Sequence, residues 1–160
     1  MHLSRTLPLI AVLMLTVSLS HAQSATPAES SPTAPRAGTF KQVQGEAWVG
    51  TGPQRRTPQP GEGLREAERV STGGNGAATI VLRDGTALTV GPNSTVDLSR
   101  FEFDGTTQKG NFLLDLLQGS VRVVTGLLAR ANPELFKVQT PTSVVGVRGT
   151  DFIVETQAAQ

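Results

Sequence analysis

All 17 glycines of this 160-residue chain lie between Gly38 and Gly149, and that clustering restricts the fold more than any other feature. A glycine inside a helix costs roughly 1 kcal/mol relative to alanine, whereas tight turns and bulges select it. Between the glycines, short β-branched stretches alternate polar and apolar. Asp84-Gly85 divides Ala78–Arg83 from Thr86–Val90 and is the strongest short-range hairpin signal present. A two-residue type I′ turn there would put Ile80 and Leu82 on one side, with Ala87 or Leu88 opposite depending on register. Phe40–Gln44 and Glu46–Gly50 read as an opening pair around Gly45. After a turn at Gly91-Pro-Asn-Ser94, Thr95–Ser99 alternates with Val96 and Leu98 inward. Phe112–Leu117 is apolar on both parities, so it is either a buried central strand or part of a short helix. Val121, Arg122 and Val123 resume alternation. Leu127–Asn132 forms the one helical turn, ended by Pro133, and Phe136–Gln139 alternates again. About ten short strands at this spacing predict an all-β fold, a compact double-sheet sandwich or roll, mostly antiparallel, with at most one short helix.

The N-terminus has a different character. Arg5 precedes an apolar stretch from Leu7 to Leu19, and Ser20-His-Ala22 offers a small-x-small cleavage site before Gln23. A spanning helix needs about 20 apolar residues, so residues 1–22 read as a cleavable signal peptide rather than an anchor. Residues 23–37, QSATPAESSPTAPRA, lack apolar periodicity and read as an extended linker. Residues 38–156 then form one domain, and 157–160 a tail.

Composition excludes several kinds of chemistry. The chain has no Cys and no Tyr, and both histidines, His2 and His21, lie within the expected signal peptide. The mature protein would therefore lack the usual base near neutral pH, the soft metal ligands and a thiol nucleophile. No disulfide framework supports it, so the core itself must supply stability. Loss of Arg5 with the signal leaves the 13 acidic residues matched by as many basic ones. That neutral balance provides no electrostatic footprint for nucleic acid or anionic lipid. No cofactor is implied, no metal site and no catalytic set of nucleophile, base and orienting group. Gly73-Gly74-Asn75-Gly76 is followed by neither a helix N-terminus nor a Lys, so it reads as a loop and not as a phosphate cradle.

Near the C-terminus, Thr140-Pro-Thr-Ser-Val-Val-Gly-Val-Arg-Gly-Thr-Asp-Phe-Ile-Val154 joins two β-branched segments through glycines. Pro141 cannot donate to a ladder and belongs at a strand start, and Gly146 and Gly149 mark a bulge or bend. This run resembles the C-terminal signature of the FecR domain family, the periplasmic domain of iron-citrate regulators and of many stand-alone exported proteins. Gly45-Glu-Ala-Trp-Val-Gly50, Gln59-Pro-Gly-Glu-Gly-Leu64, Arg69-Val-Ser-Thr-Gly-Gly74, Ala77–Thr86, Gly91–Val96 and Gln118-Gly-Ser-Val121 extend the resemblance, in the same order. It implies a compact double-sheet roll and a non-enzymatic binding or transducing role. Asp84, Gly85, Thr140, Pro141, Arg148, Gly149, Thr150 and Phe152 are then fold-signature positions rather than a site.

Candidate partner-binding residues are aromatic. Trp48, the only Trp, is either an exposed platform or a core or rim anchor. Phe101 and Phe103 alternate with Glu102 and Asp104, and form either an exposed apolar patch or ordinary core. Arg83 and Arg122 read as solvent-facing charges on half-buried strands. Arg148 is either solvent-facing too or paired with Asp151 or Asp84 across the signature turn. The expected location is periplasmic or secreted, with cleavage between Ala22 and Gln23 and no integral membrane span afterwards. The expected partner is another cell-envelope protein, a receptor or membrane-anchored regulator, and an exposed sheet edge would admit it by strand addition. A glycan- or peptidoglycan-binding module is the second reading. A carboxylate-only hydrolase is the third, and it requires two acids about 5–9 Å apart in a cleft.

Overall fold

Alternation sets where each strand buries its side chains, and the computed structural model of the chain shows the outcome over residues 35–149 and 151–157. The expected signal peptide, all but the end of the linker, Thr150 and residues 158–160 fall outside the described part. Eleven strands and one α-helix follow in order: β1 (Arg36–Gln44), β2 (Ala47–Val49), β3 (Gly63–Arg65), β4 (Arg69–Thr72), β5 (Ala77–Leu82), β6 (Ala87–Val90), β7 (Thr95–Phe103), β8 (Gly110–Val124), α1 (Leu127–Ala131), β9 (Phe136–Gln139), β10 (Val144–Gly146) and β11 (Asp151–Thr156). The all-β expectation and the single short helix hold. Arg36 and Ala37, expected in the linker, already belong to β1, and Ala37 is buried.

The two layers expected of a double-sheet roll are halves of one sheet, with strand order β2-β4-β7-β8-β6-β5-β1-β3. The 15-residue β8 runs through both halves. Its first part pairs with β7 and, in parallel, with β9, whereas 119–124 pair with β6 and β11. Gly119, at φ +83°, stands where the partners change. Buried side chains from both halves merge into a single core, including Phe40, Ile80 and Val121 from one and Val70, Val96 and Leu114 from the other. Phe112 and Phe136, register neighbours across β8 and β9, stack with ring centroids 4.1 Å apart. The ambiguous stretch Phe112–Leu117 is therefore central strand, with Phe112, Leu114 and Leu116 buried.

Three local expectations change. Phe40–Gln44 and Ala47–Val49 are both strand, but they do not pair: β1 bonds to β3 and β5, and β2 to β4. Gly45, at φ +56°, turns the chain from one half of the strand order to the other. The β5–β6 hairpin is not type I′, because Asp84 does not take the positive φ that turn requires. The amide of Gly85 donates to Leu82 O at 3.0 Å and that of Leu82 to Thr86 O at 2.8 Å. Arg83, Asp84 and Gly85 thus make a three-residue loop, with Gly85 at φ +84° as its left-handed residue. The register places Leu88 opposite Ile80. Pro141 sits inside the β9–β10 turn, where Thr140 N donates to Ser143 O at 2.8 Å, rather than at a strand start.

The hairpin loop also positions α1. Asp84 is 1% exposed, and its carboxylate accepts from Thr86 N at 3.0 Å, Thr86 Oγ1 at 2.7 Å and Leu128 N at 3.4 Å. Leu127 N donates to the Asp84 carbonyl at 2.9 Å. The first turn of α1, whose amides have no partner within the helix, is thus capped from the β5–β6 loop. Gly126 allows the close approach, since a Cβ there would lie 2.5 Å from Thr86 N.

Candidate functional site

The C-terminal strand offers what a docking surface needs. In β11 the side chains of Phe152 and Val154 turn toward the core, and those of Asp151, Ile153 and Glu155 turn outward. Ile153 is 62% exposed. Cross-strand pairing continues this outer face: Ile153 stands opposite Arg122 and then Thr89, and Asp151 opposite Val124 and then Ala87. Val124 and Leu127 are exposed as well. Among the described residues, β11 bonds to β8 and to no other strand. Its far edge therefore presents unpaired amides and carbonyls beside an exposed β-branched side chain, the combination that admits an added strand.

Arg122 anchors the start of this edge. Its Nε donates to Asp151 Oδ1 at 2.8 Å and its Nη2 to the other carboxylate oxygen. These bonds hold the Asp151 carboxyl below its usual range. The pair is exposed, so it orients the strand more than it stabilises the fold. The acidic side chains of Asp151 and Glu155 flank Ile153, as charges commonly flank a natural edge and guard it from indiscriminate pairing.

The structure distributes the expected residues over several places. Asp84 and Gly85 form the hairpin loop under α1. Thr140 and Pro141 form the β9–β10 turn, with Thr140 Oγ1 accepting from Ser143 N at 3.0 Å. Phe152 packs against the core. Arg148 is exposed and pairs with neither expected acid: Asp151 is taken by Arg122, and Asp84 by Thr86 and Leu128. Arg122, expected simply to face solvent, carries the ion pair instead. Phe101 lies 3% exposed in the core, so it presents no surface, and Phe103 is only partly buried at the rim. The guanidinium of Arg83 lies 5.6 Å from the Phe101 ring centroid. Trp48 is half-buried on β2, with the Arg55 guanidinium 4.4 Å from its ring centroid. The loop 73–76 turns β4 into β5, closed by Gly76 N donating to Gly73 O at 3.0 Å.

Gly149 takes φ +56°, and a Cβ there would meet only Arg130 Cγ, at 3.5 Å. The position is left-handed but open. Gly149→Val is expected to cost about 2 kcal/mol, from backbone strain without overlap. Thermal unfolding checks this, and an unchanged midpoint would show that the backbone here relaxes freely.

Buried polar groups that stitch the sheet were not anticipated. Thr72 Oγ1 donates to Gly91 O at 2.5 Å and accepts from Ser94 N at 3.0 Å, and Ser94 Oγ accepts from Ser120 N at 2.9 Å. Asp97 and Asp115 face each other across β7 and β8. Each is already engaged, Asp97 by Arg69 Nε and Nη2, both at 2.6 Å, and Asp115 by Ser99. Among the described residues, no group of three His, Cys, Asp or Glu side chains gathers where a metal could sit. No helix among them is long and apolar enough to cross a membrane.

A family model described as "FecR protein" matches residues 68–160. Among curated proteins none matches the chain. A solved structure titled "Cell surface anchoring domain" is 31% identical, and the similarity covers 40% of this chain and 86% of that one, with a TM-score of 0.37.

Proposed function

The chain belongs to the FecR family of periplasmic regulatory and signalling domains, and from that membership and the open edge of β11 we propose that it is an exported, non-enzymatic module that docks another cell-envelope protein. The partner contributes an extended segment that pairs with β11 and lays an apolar side chain beside Ile153. Main-chain bonds supply the affinity in such pairing, and alternate side chains supply the selectivity. The observation that carries the reading is the exposed Ile153 on a strand that, among the described residues, is bonded on one side only. Periplasmic residence or secretion after cleavage at Ala22 belongs to the same proposal.

A photo-crosslinking residue placed at Ile153 of the full chain in cells tests it, with the exposed Gln44 on β1 as the control site. One protein adduct at 153 that is missing at 44 is the expected pattern. Ile153→Lys should weaken capture through a separate tag by about tenfold while leaving the unfolding midpoint in place, because the side chain faces solvent. Equal labelling at both sites would sink the reading.

A further inference from the structure

The outer face of β2, β4 and β7 carries a second constellation, on strands separate from the β11 edge. Trp48 stands opposite Ser71, and Ser71 opposite Thr95, in one cross-strand row. All three are half-buried on this face, whereas Ala47, Val49, Val70 and Val96 fill the core. Beside the row lies a cavity of about 270 Å³, lined among others by Thr51, Arg55, Arg69, Ser71 and Thr95. Its two cations differ. Arg69 is neutralised by Asp97 at 2.6 Å. Arg55 is held over the Trp48 ring and has no carboxylate partner among the described residues.

The cavity therefore carries one uncompensated guanidinium, stacked on an indole and faced by hydroxyls that both donate and accept. A guanidinium matches a planar carboxylate with two parallel bonds, and stacking lowers the entropy of placing it. The hydroxyls suit a ligand that is itself rich in hydroxyls. Beside Arg55 a peptide strand finds Val49, on the outer edge of β2, already bonded to its own chain. Val49 N donates to Arg56 O at 2.8 Å and Arg56 N to Val49 O at 2.9 Å. The volume lies near the roughly 300 Å³ lower end of ligand pockets and suits a single ring. We propose that this cavity binds the carboxylate of an acidic sugar, with Arg55 as the anion-binding group and Ser71, Thr95 and Thr51 bonding the ring hydroxyls.

Trp48, as the only Trp, reports on the site by its own emission. The full chain is titrated with tetragalacturonate, and the amide shifts of Ser71 and Thr95 are followed in parallel. A saturable change in either signal is expected. Arg55→Ala should weaken it at least about tenfold, the loss expected for a charge-assisted pair, and Arg55→Lys should fall between. Arg55 is exposed, so both variants should unfold at the midpoint of the unsubstituted protein. Neutral cellotetraose and a tetraglutamate peptide serve as the comparison ligands. Failure of both signals to saturate overturns the proposal, and so does binding that ignores Arg55→Ala. Cellotetraose binding as tightly would remove the carboxylate from the argument. Tetraglutamate binding as tightly would move the ligand from sugar to protein.

Discussion

Gly119→Val is expected to lower the stability of this chain by about 3 kcal/mol, a large part of the roughly 5–15 kcal/mol that holds a domain together. Two costs combine. A non-glycine residue in the left-handed region loses about 1–2 kcal/mol, more when β-branched. Space is also missing: at φ +83° a Cβ would lie 2.6 Å from both Asn93 O and Ser94 Cα and would overlap Ser94 Oγ. Those atoms are backbone and a buried hydroxyl held by Ser120 N, so neither moves aside cheaply, and forced overlap adds about 1–3 kcal/mol. Gly61→Val is the matched control, with φ +90° and no atom within 4 Å of a Cβ. It should cost about 2 kcal/mol, from the backbone alone. Urea unfolding of the two variants separates strain from crowding. Equal losses would mean that Gly119 is selected for its dihedral angle and that the passage of β8 between sheet halves tolerates a side chain.

Asp84→Ala is the second large effect, also about 3 kcal/mol. It leaves Thr86 N and Leu128 N buried without an acceptor, and a buried bond to a charged group contributes about 1.5–3 kcal/mol. Asp84→Asn should recover little. One carboxylate oxygen takes Thr86 N while the other takes Thr86 Oγ1 and Leu128 N, so an amide must aim its NH₂ at donors on one side or the other. Hydrogen exchange at Leu127 and Leu128, read beside thermal unfolding, locates the damage. Their amides should lose protection before those of β7 and β8. An Asp84→Asn protein with wild-type exchange would show that shape, not charge, fastens α1 to the hairpin.

Local pattern made much of this fold legible. Alternation at Thr95–Ser99 put Val96 and Leu98 inside, and Pro133 ended the one helix where expected. What stayed hidden depends on distant partners. β1 and β2 were recognisable as strands, yet nothing near Gly45 reveals that they join β5 and β4 instead of each other. Asp84-Gly85 signals a turn whether the carboxylate is wet or buried. Only the later arrival of α1 makes Asp84 a buried acceptor. Side-chain facing was equally indeterminate in the signature run. β-branching at Val144 and Ile153 favours strand without choosing a face, and both point to solvent. The Arg122–Asp151 pair follows from the β8–β11 register, which no spacing within either segment encodes. Aromatic alternation at Phe101 and Phe103 could not tell core from surface, and the register of β7 against β8, with Phe101 facing Phe112, decides for the core.

The placement of β1 and β2 in opposite halves of the strand order has a kinetic consequence. A chain emerging N-terminus first exposes two strands that cannot stabilise each other. β1 must wait for β3 and β5, and β2 for β4, whose other neighbour β7 is itself completed only by β8. Because non-local pairings must bear loop-closure entropy before contact energy returns it, such a chain folds late and as a whole. Until residues beyond 110 have appeared, the nascent polypeptide has no finished core to collapse around. A late commitment of that kind keeps a polypeptide extended and threadable during synthesis, with the glycine-marked passage through β8 as the step that closes the sheet.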